Sequence, residues 1–384
     1  MNSARGIKLN NTTGLTAEFL LVLMIVLCTL FHLGKGVSIA FSMTFFVLVA
    51  IVIRFISSHG IPWTMIGLFA VTFFNVSINT LLSKEANISF SYFYKLIMFF
   101  CTVVFFYMAS EMQVDQAGKR RIQVLPLLMG AAMIISYYVL GNRTMIAHSI
   151  TLGFVNPNFT GMWLSHVFFY AICDLVNEKK TVQKILIGFL AALCLVLIWK
   201  AYARSCFAGI FVFAVLLLYG RLLNTNKLPT ALTGILLLFP LLFAAFYLYV
   251  VRAEWFTDMF HFLVRTGKAL TARDQIWRIA FERFFNNPFL GNYSQISRGT
   301  GVSQLHNMHI DVLCSYGIVP LMLFLRLLQS ITSNINRNLK TYSQYVAYCA
   351  FLSVITIGAF EASIVAGSTG LYLLSGGFLI LASK

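Results

Sequence analysis

Residues 272–320 read ARDQIWRIAFERFFNNPFLGNYSQISRGTGVSQLHNMHIDVLCSYGIVP, the last part of the longest polar interruption in an otherwise apolar chain. Over 272–285, Ile276, Trp277, Ala280, Phe281, Phe284 and Phe285 recur at helical spacing, while Arg273, Asp274, Arg278, Glu282 and Arg283 fall largely on other faces. That pattern predicts an amphipathic helix lying in the headgroup plane of a bilayer, ring side down. Asn287-Pro288 should stop it, because proline lacks the N–H a helix needs and biases the preceding residue away from helical backbone. Gly291, Gly299 and Gly301 permit turns before His306-Asn307 opens a new apolar run.

The rest of the chain supplies the setting. At 59% hydrophobic and only 10% charged, it lies far outside the range of soluble domains. Apolar runs recur at approximately 18–33, 37–56, 61–82, 90–110, 122–140, 159–177, 184–200, 205–222, 229–251, 307–328, 342–361 and 363–382. Most have the length of about 17–25 residues that a membrane-crossing helix requires. The expected fold is an all-α polytopic membrane protein with about twelve spans. It would form one transmembrane domain over 1–384, with a large extracytoplasmic loop over 252–306. The segment after Arg5 and Lys8 reads as a first span rather than a removed signal, since no small-residue cleavage site follows. Little room to turn is left near Gly34 and Gly36 and again near Glu361, so the last two spans can be partly re-entrant.

Charge gives an orientation. With the N-terminus cytoplasmic, the inside segments hold Arg5, Lys8, Arg54, Lys119, Arg120, Arg121, Lys179, Lys180, Lys184, Arg221, Lys227, Arg326, Arg337, Lys340 and Lys384. The short outside segments hold only Lys35, Lys84, Arg143, Lys200 and Arg204. Fifteen against five satisfies the positive-inside rule and puts 252–306 outside. The net charge of +16 is thereby assigned to topology and anionic membrane lipid, and nucleic-acid binding is excluded, because no basic patch interleaves with aromatics on a soluble face. The seven cysteines sit in or beside apolar runs without a CxxC, so they act as small hydrophobes and form neither disulfide framework nor zinc site.

Candidate chemistry gathers on the outer side. Arg204, where a loop meets a span, either snorkels to headgroups or faces a polar cavity and binds phosphate. The 252–306 loop carries seven basic residues against four acidic ones, a cationic vestibule suited to an anionic substrate. Arg273 and Arg278 belong to it. His306 can exchange a proton near neutral pH, and His309 stands one turn away. His306, His309 and Asp311 are metal-ligating types, but i, i+3 and i+5 cannot all face one point on a straight helix, so no metal site is expected. Asn156-Pro157-Asn158 opens the sixth span, where an asparagine cap is a sufficient structural role.

The run Ala272-Arg273-Asp274, Trp277, Asn287-Pro288-Phe289-Leu290-Gly291 and His306-Asn307 resembles the shared core of bacterial O-antigen ligases and Wzy-type polysaccharide polymerases. Their His-Asn, nine residues, then Gly is matched by His306-Asn307 and Gly317. Pro320 stands where the ligases usually carry a small or polar residue, and Arg204-Ser205 is similar to the family's transmembrane arginine. The resemblance implies a glycosyltransferase of the GT-C type whose donor is a glycan on undecaprenyl diphosphate, with no metal or cofactor. Arg204 and Arg273 would then meet the charge of the departing diphosphate, and His306 would act as base toward the acceptor hydroxyl. Asn307, His309, Arg278 and Asn158 would bind substrate. Pro320 tilts the reading toward a repeat-unit polymerase over a ligase acting on lipid A-core or another acceptor. A chain-length regulator is left open as a partner. The site would lie on the extracytoplasmic face of the cell membrane. A transporter or flippase is the rival from another class, although apart from Lys95 the polar chemistry gathers at one face rather than at the bilayer midplane.

Overall fold

The structure, a computed structural model, describes residues 61–82, 90–112, 114–139, 145–146, 149–152, 157–250, 273–292, 305–361 and 371–383. The expected spans at 18–33 and 37–56, together with 252–272 and 293–304 of the expected extracytoplasmic loop, lie outside the described residues. What is described is almost entirely helical: α1 (Trp63–Leu82), α2 (Phe90–Glu111), α3 (Gln116–Tyr138), α4 (Pro157–Asn177), α5 (Thr181–Lys200), α6 (Arg204–Leu222), α7 (Thr230–Val250), α8 (Arg273–Asn286), α9 (Met308–Tyr316), α10 (Ile318–Asn338), α11 (Tyr342–Ile357) and α12 (Leu371–Ala382). A two-residue antiparallel hairpin, β1 (Met145–Ile146) and β2 (Ser149–Ile150), precedes α4.

Among the described residues six helices, α1, α4, α5, α6, α7 and α10, are long and apolar enough to cross a membrane. Their surfaces separate centre from periphery. In α4, 78% of the apolar window is buried, against 22% in α5. Helix α5 instead exposes Val182, Ile185, Leu186, Phe189 and Trp199. So much outward apolar surface fits a helix facing lipid, while one apolar on every side belongs inside a bundle. Helix α11 is the second central element, buried throughout 345–357, and it packs on α4, α6, α7 and α12. Buried hydroxyls are satisfied within their own helices: Ser165 donates to Gly161 O, Ser353 to Cys349 O and Ser375 to Leu371 O, each at 2.8 Å.

Bonds between helix ends define two faces. At one, Lys119 Nζ and Gln344 Nε2 both donate to Ser383 O at 2.9 Å, and Asn336 brackets Leu228 through its N–H and C=O. Arg120 there pairs with Asp174 and Glu178, tying α3 to the end of α4. The backbone N–H of Lys180, with that of Lys179 and with Arg120, holds the Glu178 carboxyl below the ordinary carboxylate range. The opposite face carries the starts of α4, α6, α8 and α9 and the end of α11.

One expected element differs. The run at 307–328 is not a single helix but two, α9 and α10, broken at Gly317. Gly317 has φ +96° and ψ 174°, backbone open essentially to glycine alone. The freed backbone groups are taken up by the Asn287–Asn292 turn. Ile318 N donates to Pro288 O at 2.9 Å and Asn292 N to Cys314 O at 2.7 Å. From α1, Asn75 Nδ2 donates to Phe289 O and Tyr316 O at 2.8 and 2.7 Å, and Asn79 Nδ2 to Leu290 O at 2.8 Å. The Asn-Pro turn is thus a plug seated in a helix break.

Candidate functional site

Helix α8 positions the first side chain. It ends at Asn286, ahead of Asn287-Pro288, and buries Arg273, Trp277, Ala280 and Phe284 along one stripe. The rings do not all turn to the headgroups: Trp277 is fully buried, edge-on to Phe243 and Tyr247 of α7, whereas Phe285 is exposed. Trp277 Nε1 donates to Leu305 O at 2.6 Å, and Leu305 N donates to Asp311 Oδ1 at 2.9 Å. Both ends of the Leu305 peptide environment are therefore fixed just before His306.

His306 adopts φ +51°, left-handed backbone that a residue with a Cβ rarely takes. The neighbouring bonds hold it there. Met308 N donates to Gly358 O at 2.8 Å, and Asn307 Nδ2 donates to Ala359 O at 2.9 Å and Pro240 O at 2.7 Å. Asn307 Oδ1 accepts from His309 N and Ile310 N at 3.0 Å, capping α9. The 306–308 turn is clamped onto the 358–361 turn at the end of α11.

That clamp brings three groups together around one carboxylate. Glu361, 3% exposed, accepts from His306 Nδ1 on Oε2 at 2.9 Å, and on Oε1 from Asn158 Nδ2 at 2.8 Å and from Arg273. Glycine-mediated contact adds α6: a Cβ at Gly161, one turn after Asn158, would stand 2.1 Å from Ala203 Cβ. The first turn of α4 therefore touches the residue before Arg204. Arg204 itself is exposed and has no ion pair or side-chain hydrogen bond among the described residues.

The residues singled out from sequence divide accordingly. Arg273, His306 and Asn158 share Glu361, and Arg204 stands beside them. Arg278 is exposed on the outer side of α8. Asn307 is fully buried and both its donors and its acceptor are spent on backbone, so its amide has nothing left for a substrate. His309 is fully buried with its ring 6.3 Å from that of Phe324; neither ring nitrogen has a partner among the described residues, and it makes no bond with the cluster. Among the described residues no three His, Cys, Asp or Glu side chains group to hold a metal ion, and Asp311 is occupied by Leu305 N.

The residue that sequence reasoning passed over is Glu361. Its signal was present: one of only twelve acidic residues in the chain, set between two apolar runs, where an ionisable group needs a partner. Its partners lie 55, 88 and 203 positions away, which no local pattern discloses.

Chemically, the arrangement is a buried carboxylate, a part-exposed imidazole, a buried guanidinium and an exposed one without a partner among the described residues, at a single end of a helical membrane bundle. In the neutral imidazole, Nδ1 carries the proton donated to Glu361, so Nε2 keeps its lone pair. That class of site can take a proton from a hydroxyl beside a bound anion. Compared with models of known protein families and with curated protein sequences, the chain matches none of them.

Proposed function

We propose that this chain is a membrane glycosyltransferase that moves an undecaprenyl-diphosphate-linked oligo- or polysaccharide onto an acceptor hydroxyl, acting as a repeat-unit polymerase in surface polysaccharide synthesis. The observation that carries it is the meeting of His306 and Arg273, from the outer loop, with Asn158 on one carboxylate, beside an unpaired Arg204. A structural ion pair alone does not call for a strained, part-exposed histidine with a free ring nitrogen.

Cleavage of the anomeric carbon–oxygen bond puts negative charge on a diphosphate. Arg204, exposed and unpaired, supplies a planar guanidinium for those oxygens, with Arg278 further out on the same face. Arg273, partly committed to Glu361, adds to the positive field. Preorganised charge of this kind is commonly the largest catalytic contribution. The acceptor hydroxyl gives its proton to His306 Nε2 as its oxygen bonds the anomeric carbon, and a single displacement inverts that centre. The lipid tail lies along outward apolar faces such as that of α5. The reaction requires the site on the extracytoplasmic face, which the expected topology of about twelve spans would give.

The test is incubation of the reconstituted protein with a defined undecaprenyl-diphosphate oligosaccharide, with and without a chelator. A chelator-resistant ladder of products supports a polymerase. One transfer to a separate acceptor makes it a ligase, and an unchanged glycan that has crossed the bilayer makes it a transporter.

A further inference from the structure

We propose that Glu361 is the positioning residue of this site, fixing His306 with Nδ1–H turned into the protein and Nε2 turned toward the acceptor while it anchors Arg273 on its other oxygen. The proposal rests on the transferase reading for its catalytic consequence but not for its geometry. The two oxygens divide the work. Among the described residues Oε2 takes His306 alone, while Oε1 takes Arg273 and Asn158. A carboxylate with one oxygen already balanced by a guanidinium and an amide has little call to accept the imidazole's proton outright. It therefore orients the ring and stabilises the imidazolium formed in the reaction, the role a buried carboxylate plays beside a general base. The elements behind it are rigid: Glu361 N donates to Ile357 O at 3.2 Å at the end of α11, and the facing turn is held by Asn307 and Met308.

In the proposed step, the acceptor oxygen–anomeric carbon bond forms and the anomeric carbon–diphosphate oxygen bond breaks. The bonding pair leaves with the diphosphate, the hydroxyl proton moves to His306 Nε2, and Glu361 remains a carboxylate throughout. Nothing is oxidised or reduced. Glu361 touches neither the donor nor the reacting atoms, which makes its effect separable from binding.

The experiment compares wild type with Glu361→Gln, Glu361→Asp and Glu361→Ala, full-length and reconstituted, by ¹⁵N spectroscopy of histidine-labelled protein, with His306→Asn identifying the His306 signals. His166 is an internal reference, since its Nδ1 is held by Met162 O at 2.7 Å and its Nε2 by Ser375 Oγ at 2.9 Å, away from Glu361. Wild-type His306 should show the Nδ1–H tautomer, and Glu361→Ala should abolish that preference with His166 unchanged. Should Glu361→Ala fail to fold, Glu361→Gln keeps the volume but cannot satisfy His306 and Arg273 with one charge, and should weaken the preference. Transfer should fall about 10²–10⁴-fold in kcat with donor KM little changed, and Glu361→Asp should recover part of it. A His306 tautomer that is the same in every folded variant would overturn the proposal. A wild type with no transferase activity but with the tautomer change would remove the functional reading alone and leave the positioning role standing.

Discussion

Gly317→Ala tests the break in the helix that seats the Asn-Pro turn. A Cβ there would stand 2.1 Å from Phe289 O, 2.7 Å from Phe289 C and 3.3 Å from Asn75 Nδ2. The obstruction is backbone, and that backbone is pinned by Ile318 N on Pro288 O, Asn292 N on Cys314 O and the Asn75 amide. It cannot retreat the full ångström or so that normal contact requires without losing those bonds. Holding a residue with a Cβ at φ +96° costs about 1–3 kcal/mol, and overpacking adds a further ~1–3 kcal/mol. The sum is about 2–6 kcal/mol. Thermal unfolding followed by a thiol-reactive fluorophore suits this chain, because Cys101, Cys173, Cys194, Cys206, Cys314 and Cys349 are all free and buried. At roughly 2 °C per kcal/mol for a large chain, the midpoint should drop by at least about 4 °C. Gly188→Ala and Gly234→Ala are the controls: both lie within helices with nothing within 4 Å of the new methyl. They should be neutral or stabilising by up to about 1 kcal/mol. A Gly317→Ala protein that melts with these controls would refute the break and its plug.

Other expectations follow from the same contacts. Asn307→Ala removes a cap and leaves Pro240 O and Ala359 O unpaired in the interior, costing about 3–5 kcal/mol in the same melt, with Asn307→Asp intermediate because it keeps the cap. Arg273→Met strands the buried Glu361 charge at a cost of about 3–5 kcal/mol, and adding Glu361→Gln should recover part of it, a coupling that a double-mutant cycle reads directly. Because Glu178 is held below its unfolded value, its contribution is complete above the ordinary carboxylate range and is lost as pH falls through the depressed value. Hydrogen-exchange protection of the Lys179 and Lys180 amides, taken relative to the intrinsic rate at each pH, should therefore fall on acidification, and Glu178→Gln should remove that dependence. Arg204→Ala should leave the melt unchanged, since the side chain is exposed and unpaired, while lowering transfer about 10²–10³-fold.

The sequence disclosed elements whose cause is local. Apolar length set α1, α4, α5, α6 and α7 within a few residues of the expected runs, because burial in lipid or protein demands the same composition along the whole helix. The 307–328 run misled for the same reason: Met308–Tyr316 and Ile318–Asn338 are both apolar, and one glycine in an apolar stretch does not announce φ +96°. Asn307 looked like a substrate ligand beside His306, yet its partners Pro240 and Ala359 are distant in sequence, so its structural use was invisible. The ring face of α8 carried the right residues but an undetermined destination, since lipid and the flank of α7 reward the same stripe. At the site, Arg273, His306 and Asn158 were legible as types at one face. The carboxylate joining them was not, because its meaning arises only when the ends of α4, α8, α9 and α11 are brought together.

The most direct measurement is transfer from an undecaprenyl-diphosphate oligosaccharide by the reconstituted wild type and by His306→Ala, each paired with its melting curve. The prediction is extended glycan from the wild type and none from His306→Ala, whose melting midpoint falls by a few degrees because Glu361 Oε2 loses its donor but stays above the assay temperature. Undiminished extension by His306→Ala would contradict it, as would a wild-type protein that leaves the glycan chemically unchanged.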